Sequence, residues 1–339
     1  MAGGDSPTDP ETQGGTDAGA DSRTTTDGGG ADRQHDRDRA HDCDRDVAVV
    51  GGGPAGCSAG VFAARYGLDA VVFDRGRSSI QQCAVLENYP GFPGGVGIET
   101  FYDLLHDHVE EAGCDLVSDM VESVSRADGE GFVVETQEGR RVTARRVVAA
   151  TRYGGEYLRG LDDEGAMFET HSRGGEAHER FDREYADRDG RTPVEGLYVA
   201  SPSAEADRQA VVAAGRGARV ALTVLADVRR GRGYPDAFAD HYDWLRREAE
   251  LDGEWSDRER WREWFADRTP ADADVPEDRL ADLREREIDR RFDTYLGDDE
   301  IERRVARGQR RLLDHVDDEY ILEAAREIEA ADEAPETRD

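Results

Sequence analysis

The stretch that most restricts the fold is Val47-Ala48-Val49-Val50-Gly51-Gly52-Gly53-Pro54-Ala55-Gly56. A short apolar run bounded by glycine reads as a buried strand of a parallel sheet. The glycines then satisfy G-x-G-x-x-G, and the small residues after them read as a helix. Gly51 allows the tight turn, Gly53 lets the backbone approach a diphosphate, and Gly56 lets helix and strand pack closely. The helix opens on Pro54 and Ala55, with unpaired N–H groups and its positive end turned toward whatever lies over the loop. A second apolar run, AVVF (70–73), closes in Asp74 at the separation of a carboxylate that binds ribose hydroxyls. The unit therefore predicts a dinucleotide cradle. Asp74 disfavours a 2′-phosphate, which leaves FAD and NAD as candidates.

Residues 46–228 carry further folded-domain signals. GFVVETQEGRRVTARRVVAAT (131–151) reads as a hairpin turning at Glu138-Gly139 followed by a third buried strand. GLYVAS (196–201) reads as another strand, and 207–228 as a buried helix. The expected fold is an α/β, Rossmann-like three-layer domain with a parallel sheet and a β-meander. Residues 1–45 hold eleven acidic residues, five arginines and almost nothing to bury, so a disordered tail is expected. Residues 229–339 read as a charged helical extension. They contain all four tryptophans and an apolar stripe through Ile301, Val305, Leu312, Val316 and Ile321.

Charge narrows the partners. The chain carries −33 at pH 7, and all its 44 basic residues are arginine. Acid spread along the whole chain suits concentrated salt, where screening removes self-repulsion, so the surface reads as that of a halophile. The same field argues against nucleic acid and anionic membranes. With no apolar run of spanning length and no secretory core, a cytoplasmic protein is expected. A second copy of the chain stays open as a partner.

Downstream of the cradle, IQQCAVLENYPGFPGGVGIETFYDLLHDHVEEAGCDL (80–116) and Arg208-Gln209-Ala210-Val211 with Ala213-Ala214-Gly215 resemble the thioredoxin-reductase-like pyridine nucleotide-disulfide oxidoreductases. In that family a glutamine and an ENYPGF-like run lie along the flavin, and the RQA helix start sits beneath it. The resemblance favours FAD over NAD and implies Gln82 (or Gln81), Asn88, Thr151, Arg208, Gln209 and Ala210 as cofactor contacts beside Gly51, Gly53, Pro54, Ala55, Gly56 and Asp74. It also implies an FAD-dependent oxidoreductase with NAD(P)H as a transient electron donor. The family's inserted NADPH domain and its C-x-x-C have no counterpart, because about forty residues join Arg152 to Pro193 and carry no cysteine. Thioredoxin reduction by that family's mechanism is therefore not expected, and 152–193 reads as a polar surface excursion. Arg152 replaces a glycine, and Ser201-Pro202 replaces a Gly-Asp whose carboxylate holds the ribityl chain; Ser201, Ser203 or Asp207 are the substitutes at hand. Two rival readings remain: a non-catalytic flavin-binding or flavin-sensing protein, and an NAD enzyme without flavin. The electron donor, a small molecule or a redox protein, is not identified.

Among four scattered cysteines, Cys83 is the catalytic candidate, since it follows the glutamines beside the flavin. Cys57 and Cys114 read as small core residues. His106, His108, His171 and His178 lack metal spacing and read as solvated; no metal is expected. Arg152 reads either as a surface arginine or as a counter-charge for the flavin N1 or a substrate anion. The tryptophans read as anchors that dock the extension on the flavin domain, with a lid or partner surface in the space of the family's NADPH domain as the alternative.

Overall fold

The computed structural model describes residues 43–152, 154–173, 176–203, 209–273 and 275–332. The expected N-terminal tail, apart from its last three residues, lies outside them. Strand β1 (Arg45–Val50) runs into helix α1 (Pro54–Tyr66) and strand β2 (Ala70–Phe73). A short antiparallel pair, β3 (Val85–Leu86) and β4 (Val96–Gly97), precedes helix α2 (Ile98–Glu111). Next come β5 (Asp115–Val117), β6 (Val121–Arg126), β7 (Phe132–Thr136) and the long β8 (Arg141–Ala150). One helical turn, α3 (Glu164–Met167), leads to a hairpin of β9 (Phe168–Arg173) and β10 (Glu176–Phe181). Strand β11 (Leu197–Ser201) and helix α4 (Ala210–Gly231) complete the α/β body.

The main sheet runs β5-β2-β1-β8-β7-β6, with β11 also paired to β8. Strands β5, β2, β1, β8 and β11 pair in parallel, while β6, β7 and β8 form the antiparallel meander. Strand β8 belongs to both: Arg141–Ala144 pairs with β7, and Val147–Ala150 pairs with β11. The meander is thus continuous with the sheet. In the register, Val50 stands opposite both Phe73 and Ala149, which aligns the carboxyl ends of β1, β2 and β8. Strand order switches direction at β1, and a parallel sheet opens its ligand crevice at such a point.

Apolar side chains alternate to both faces of these strands. One face meets α1, α2 and α4 through Val47, Val49, Val72, Val220 and Val224. The other buries Ala48, Val50, Phe73 and Val147. The segment expected as a polar excursion helps close this second face. Leu158, Met167, Phe168 and Phe181 are buried there, and their sparse spacing among charged neighbours hides them from a compositional reading. The run DLVSDMVESV (115–124), which sequence alone reads as one strand, is two, because β5 pairs in parallel with β2 and β6 pairs antiparallel with β7.

The extension adds α5 (Arg258–Arg268), α6 (Glu277–Phe292), α7 (Asp298–Leu313) and α8 (Asp318–Asp332). It docks on the carboxyl ends of α1 and α4. Arg229, 1% exposed on α4, donates to Glu287 at 2.6 Å and to the Phe238 carbonyl at 2.8 Å. His241 meets the Tyr66 ring at 4.8 Å, and Arg65 pairs with Asp243. The tryptophans serve a different purpose from the expected one. Trp255, Trp261 and Trp264 pack on one another and on Phe238, so they hold the extension together, while Trp244 stays 65% exposed. The stripe at Val305, Leu312 and Val316 is exposed on this chain.

Candidate functional site

At the carboxyl ends of β1, β2, β8 and β11 opens a cleft of about 1240 Å³. Its floor is the glycine loop. Gly51 has φ +116°, and a Cβ there would lie 2.5 Å from the Ala150 carbonyl oxygen. A Cβ on Gly56 would stand 1.7 Å from the Gly51 oxygen, so helix and strand touch as the spacing predicted. A Cβ on Gly53 would project to 3.0 Å from the Ser78 hydroxyl, at the cleft wall. Pro54 opens α1 with no side-chain cap and no acidic residue in its first turn. Helix α4 likewise starts uncapped at the cleft, where Gln209, Ala210 and Ala213 form part of the lining. The two helices cross so closely that a Cβ on Gly217 would lie 1.9 Å from the Ala55 oxygen. Two sets of unpaired N–H groups therefore converge on one space, an arrangement suited to an anion.

Every predicted cofactor residue that is described, apart from Gly56, lines this cleft: Gly51, Gly53, Pro54, Ala55 and Asp74, then Gln82, Asn88, Thr151, Gln209 and Ala210. Gly56 acts one layer below, in packing. Arg208 and Asp207 lie outside the described residues. Asn88 donates from Nδ2 to Gln209 Oε1 at 2.9 Å and joins two motifs 121 residues apart. Thr151 donates to the Gly154 carbonyl at 3.0 Å. Ser201 lines the cleft, and Ser203 is buried.

Asp74 is 5% exposed at the end of β2. Its Oδ1 accepts from the Gly76 N–H at 3.1 Å, and its Oδ2 accepts from the Tyr102 hydroxyl at 2.5 Å. His106 Nε2 lies 3.3 Å from the same Oδ2 and 3.2 Å from the Gly52 carbonyl oxygen. Two acceptors facing one ring nitrogen require that it carry the proton. Burial alone would raise the Asp74 carboxyl, but hydrogen bonds from His106, Tyr102 and Gly76 outweigh it and hold the group below its usual range. Burial would lower His106, yet its bonds to Asp74 and Gly52 leave it above the ordinary value. His106 is thus no solvated histidine. Tyr102 and His106, one turn apart on α2 with rings 4.3 Å apart, are the site residues missed from the sequence. Their i, i+4 spacing was the available signal, and it is shared with any buried helix face.

Asp119 also lines the cleft, at the break between β5 and β6; its N–H and that of Asp74 both donate to the Val117 carbonyl at 2.9 Å. Asp119 is 6% exposed; its Oδ1 accepts from the Met120 N–H at 2.7 Å, and its Oδ2 has no hydrogen-bond partner. A buried carboxylate oxygen left unsatisfied is costly, and a ligand donor entering the cleft would relieve it.

The thiols sort by environment. Cys57 donates to the Gly52 carbonyl at 3.2 Å, and burial pushes its pKa far up. Cys114 contacts the Ala70 carbonyl, and burial pushes it up to about 12. Both are core thiols, as expected. Cys83 is exposed and lines the cleft beside Gln82. No residue beyond Ala213 lines the cleft, so among the described residues the extension supplies no lid. No described helix is long and apolar enough to cross a membrane.

Comparison with known proteins places this geometry. Residues 45–151 match the model of the family described as pyridine nucleotide-disulphide oxidoreductase. A bifunctional thioredoxin reductase/thioredoxin from Mycobacterium leprae is 36% identical over 122 residues, which are 35% of this chain and 26% of that protein. A thioredoxin reductase from Helicobacter pylori is 34% identical over 109 residues, 31% of this chain and 35% of that one. The chain therefore spans about a third or less of the length of these relatives. A solved thioredoxin reductase from Gloeobacter violaceus is 18% identical over 59% of this chain and 98% of that chain, with a TM-score of 0.45, too loose to bear on the site. The matched residues include those that form the cradle, Asp74, the ENYPGF run and β8, and over that stretch the chain is similar to the pyridine nucleotide-disulphide oxidoreductases and to thioredoxin reductases.

Proposed function

We propose that the chain holds FAD in this cleft and is an oxidoreductase that exchanges electrons through it. The observation that carries this reading is the convergence of the glycine loop, Asp74 and the Asn88–Gln209 pair on one cleft. The residues present fit the group. The backbone at Gly51–Gly53 and the first turn of α1 would hold a diphosphate, as a Cβ at Gly53 would not allow. Asp74, kept ionised by its neighbours, would accept from ribose hydroxyls. Asn88 and Gln209 would frame the ring end, where α4 offers its amides. When bound, FAD supplies hydride and single-electron exchange at its ring; the protein's part is to orient and shield it.

The dithiol chemistry of a thioredoxin reductase has no residues here to perform it. The sequence holds no C-x-x-C, and Cys83 is the one thiol lining the cleft among the described residues. Between Arg152 and Pro193 stands a hairpin packed on the sheet instead of a second nucleotide domain. Electrons would then arrive from NAD(P)H bound transiently or from a redox protein. The single cleft thiol also favours a second reading, a flavin binder without turnover. Anaerobic titration of the flavin-loaded chain in molar salt with NADH, NADPH and reduced ferredoxin separates them. Bleaching by any donor supports the oxidoreductase; a flavin inert to all three, and to small disulfides and quinones, supports the binder.

A further inference from the structure

Arg152 holds a left-handed backbone, φ +57°, at the end of β8. It is the one described residue other than glycine with positive φ. A side chain there is strained, and strain of this kind persists where the surroundings demand that residue. Its guanidinium Nη1 donates to the Ser79 hydroxyl at 2.6 Å. Ser79 belongs to the turn after β2, while Arg152 follows β8, and β1 lies between those two strands in the sheet. What emerges from the end of β1 is the glycine loop. Ser78 abuts Gly53 on one side and Ala150 abuts Gly51 on the other, so the Arg152–Ser79 link spans the loop itself.

We propose that Arg152 is a diphosphate clamp: its guanidinium faces the anion that the loop and the α1 amides hold from below. Arginine suits this task because its planar fork pairs two phosphate oxygens at once. The need is greater here than in most chains. With −33 overall, the molecule's field opposes a dianionic ligand, and a local fixed cation offsets it. Arg75 and Arg77 line the same cleft, but so do Asp74, Glu87, Asp119, Glu122 and Glu156, so the lining itself is acidic and the cation fixed at the loop is what offsets it. The alternative role is a plug, in which the Arg152–Ser79 link keeps anions away from the loop.

This inference rests on the nucleotide-binding reading and is tested without turnover. Calorimetric titration of the full chain in fixed salt uses ADP, AMP and adenosine as probes, on wild type and on Arg152→Gly and Arg152→Lys. The clamp predicts that Arg152→Gly weakens ADP about tenfold or more and leaves adenosine within about twofold, while Arg152→Lys retains part of the gain. It also predicts that Arg152→Gly melts no lower than wild type, since glycine accepts the left-handed backbone freely. ADP binding that is equal or tighter in Arg152→Gly overturns the clamp while leaving the nucleotide site standing. Equal losses for ADP and adenosine, with a lower melting temperature, mark a structural residue and overturn it too. Wild type that binds none of the three probes refutes the nucleotide reading and the clamp together.

Discussion

Gly53 and Gly56 separate binding from folding at the scale of single residues. A methyl on Gly53 meets the Ser78 hydroxyl at 3.0 Å and fills space where the ligand would lie. Gly53→Ala is expected to cost about 1 kcal/mol of stability or less, yet to weaken ADP by tenfold or more. A methyl on Gly56 would sit 1.7 Å from the Gly51 oxygen, and Gly56→Ala is expected to cost upwards of about 3 kcal/mol. Denaturant titration beside ADP calorimetry checks both; equal stability losses would deny the division. Alkylation of the native chain should label Cys83 first and spare Cys57 and Cys114, which are buried. Peptide mapping by mass spectrometry reads the order, and early modification of Cys57 would contradict the packing of α1.

His106 and Asp74 give the site a pH signature. His106 titrates above its ordinary value, so its contribution is full below about 6.5 and is lost as pH rises through the raised value. Asp74 titrates below 3.8, so its contribution is present above that value and is lost as acid approaches its depressed one. Their pairing is strongest between about 4 and 6.5. His106→Gln should flatten the melting-temperature profile on the alkaline side of this window relative to wild type. Parallel profiles would show that the imidazole carries no linkage.

Among the elements, α4 and α6 meet at the buried Arg229–Glu287 pair, with side-chain exposures of 1% and 8%. Removing one partner strands a buried charge, so Glu287→Ala should lower stability by about 3–5 kcal/mol in chemical denaturation. A loss below about 1 kcal/mol would mean that the extension is held by something other than this contact. How legible each element was follows from how local its cause is. The βαβ cradle declares itself in sequence because its glycines recur at a fixed short spacing, although part of what demands them, such as Ala150 against Gly51, lies across the sheet. The turn at Glu138-Gly139 is local, and Gly139 has φ +80°. The break at Asp119 is not legible, since DLVSDMVESV holds no glycine or proline to mark it and its division is imposed by two different neighbouring strands. Tyr102 and His106 become site residues only because the fold brings their side chains onto Asp74. The core role of Met167, Phe168 and Phe181 depends on a sheet face that no local pattern reveals.

For the whole molecule the governing quantity is charge. At −33, with the extension joined to the α/β body by ion pairs such as Arg65–Asp243 and Arg311–Asp107, self-repulsion opposes compaction. Raising salt toward molar shortens the screening length to about 3 Å and should raise the melting temperature steadily. The close ion pairs lose less than the long-range repulsion does. A melting temperature that falls with salt would contradict a surface built for concentrated electrolyte. No described residue of the extension lines the cleft, so deleting residues beyond Gly231 removes no cleft residue, whatever it does to stability. The most direct measurement is to purify the full chain in molar salt, incubate it with FAD, remove the excess and quantify the nucleotide released on denaturation. The account predicts about one FAD per chain, reduced sharply in Gly53→Ala. A colourless chain that releases none would contradict it.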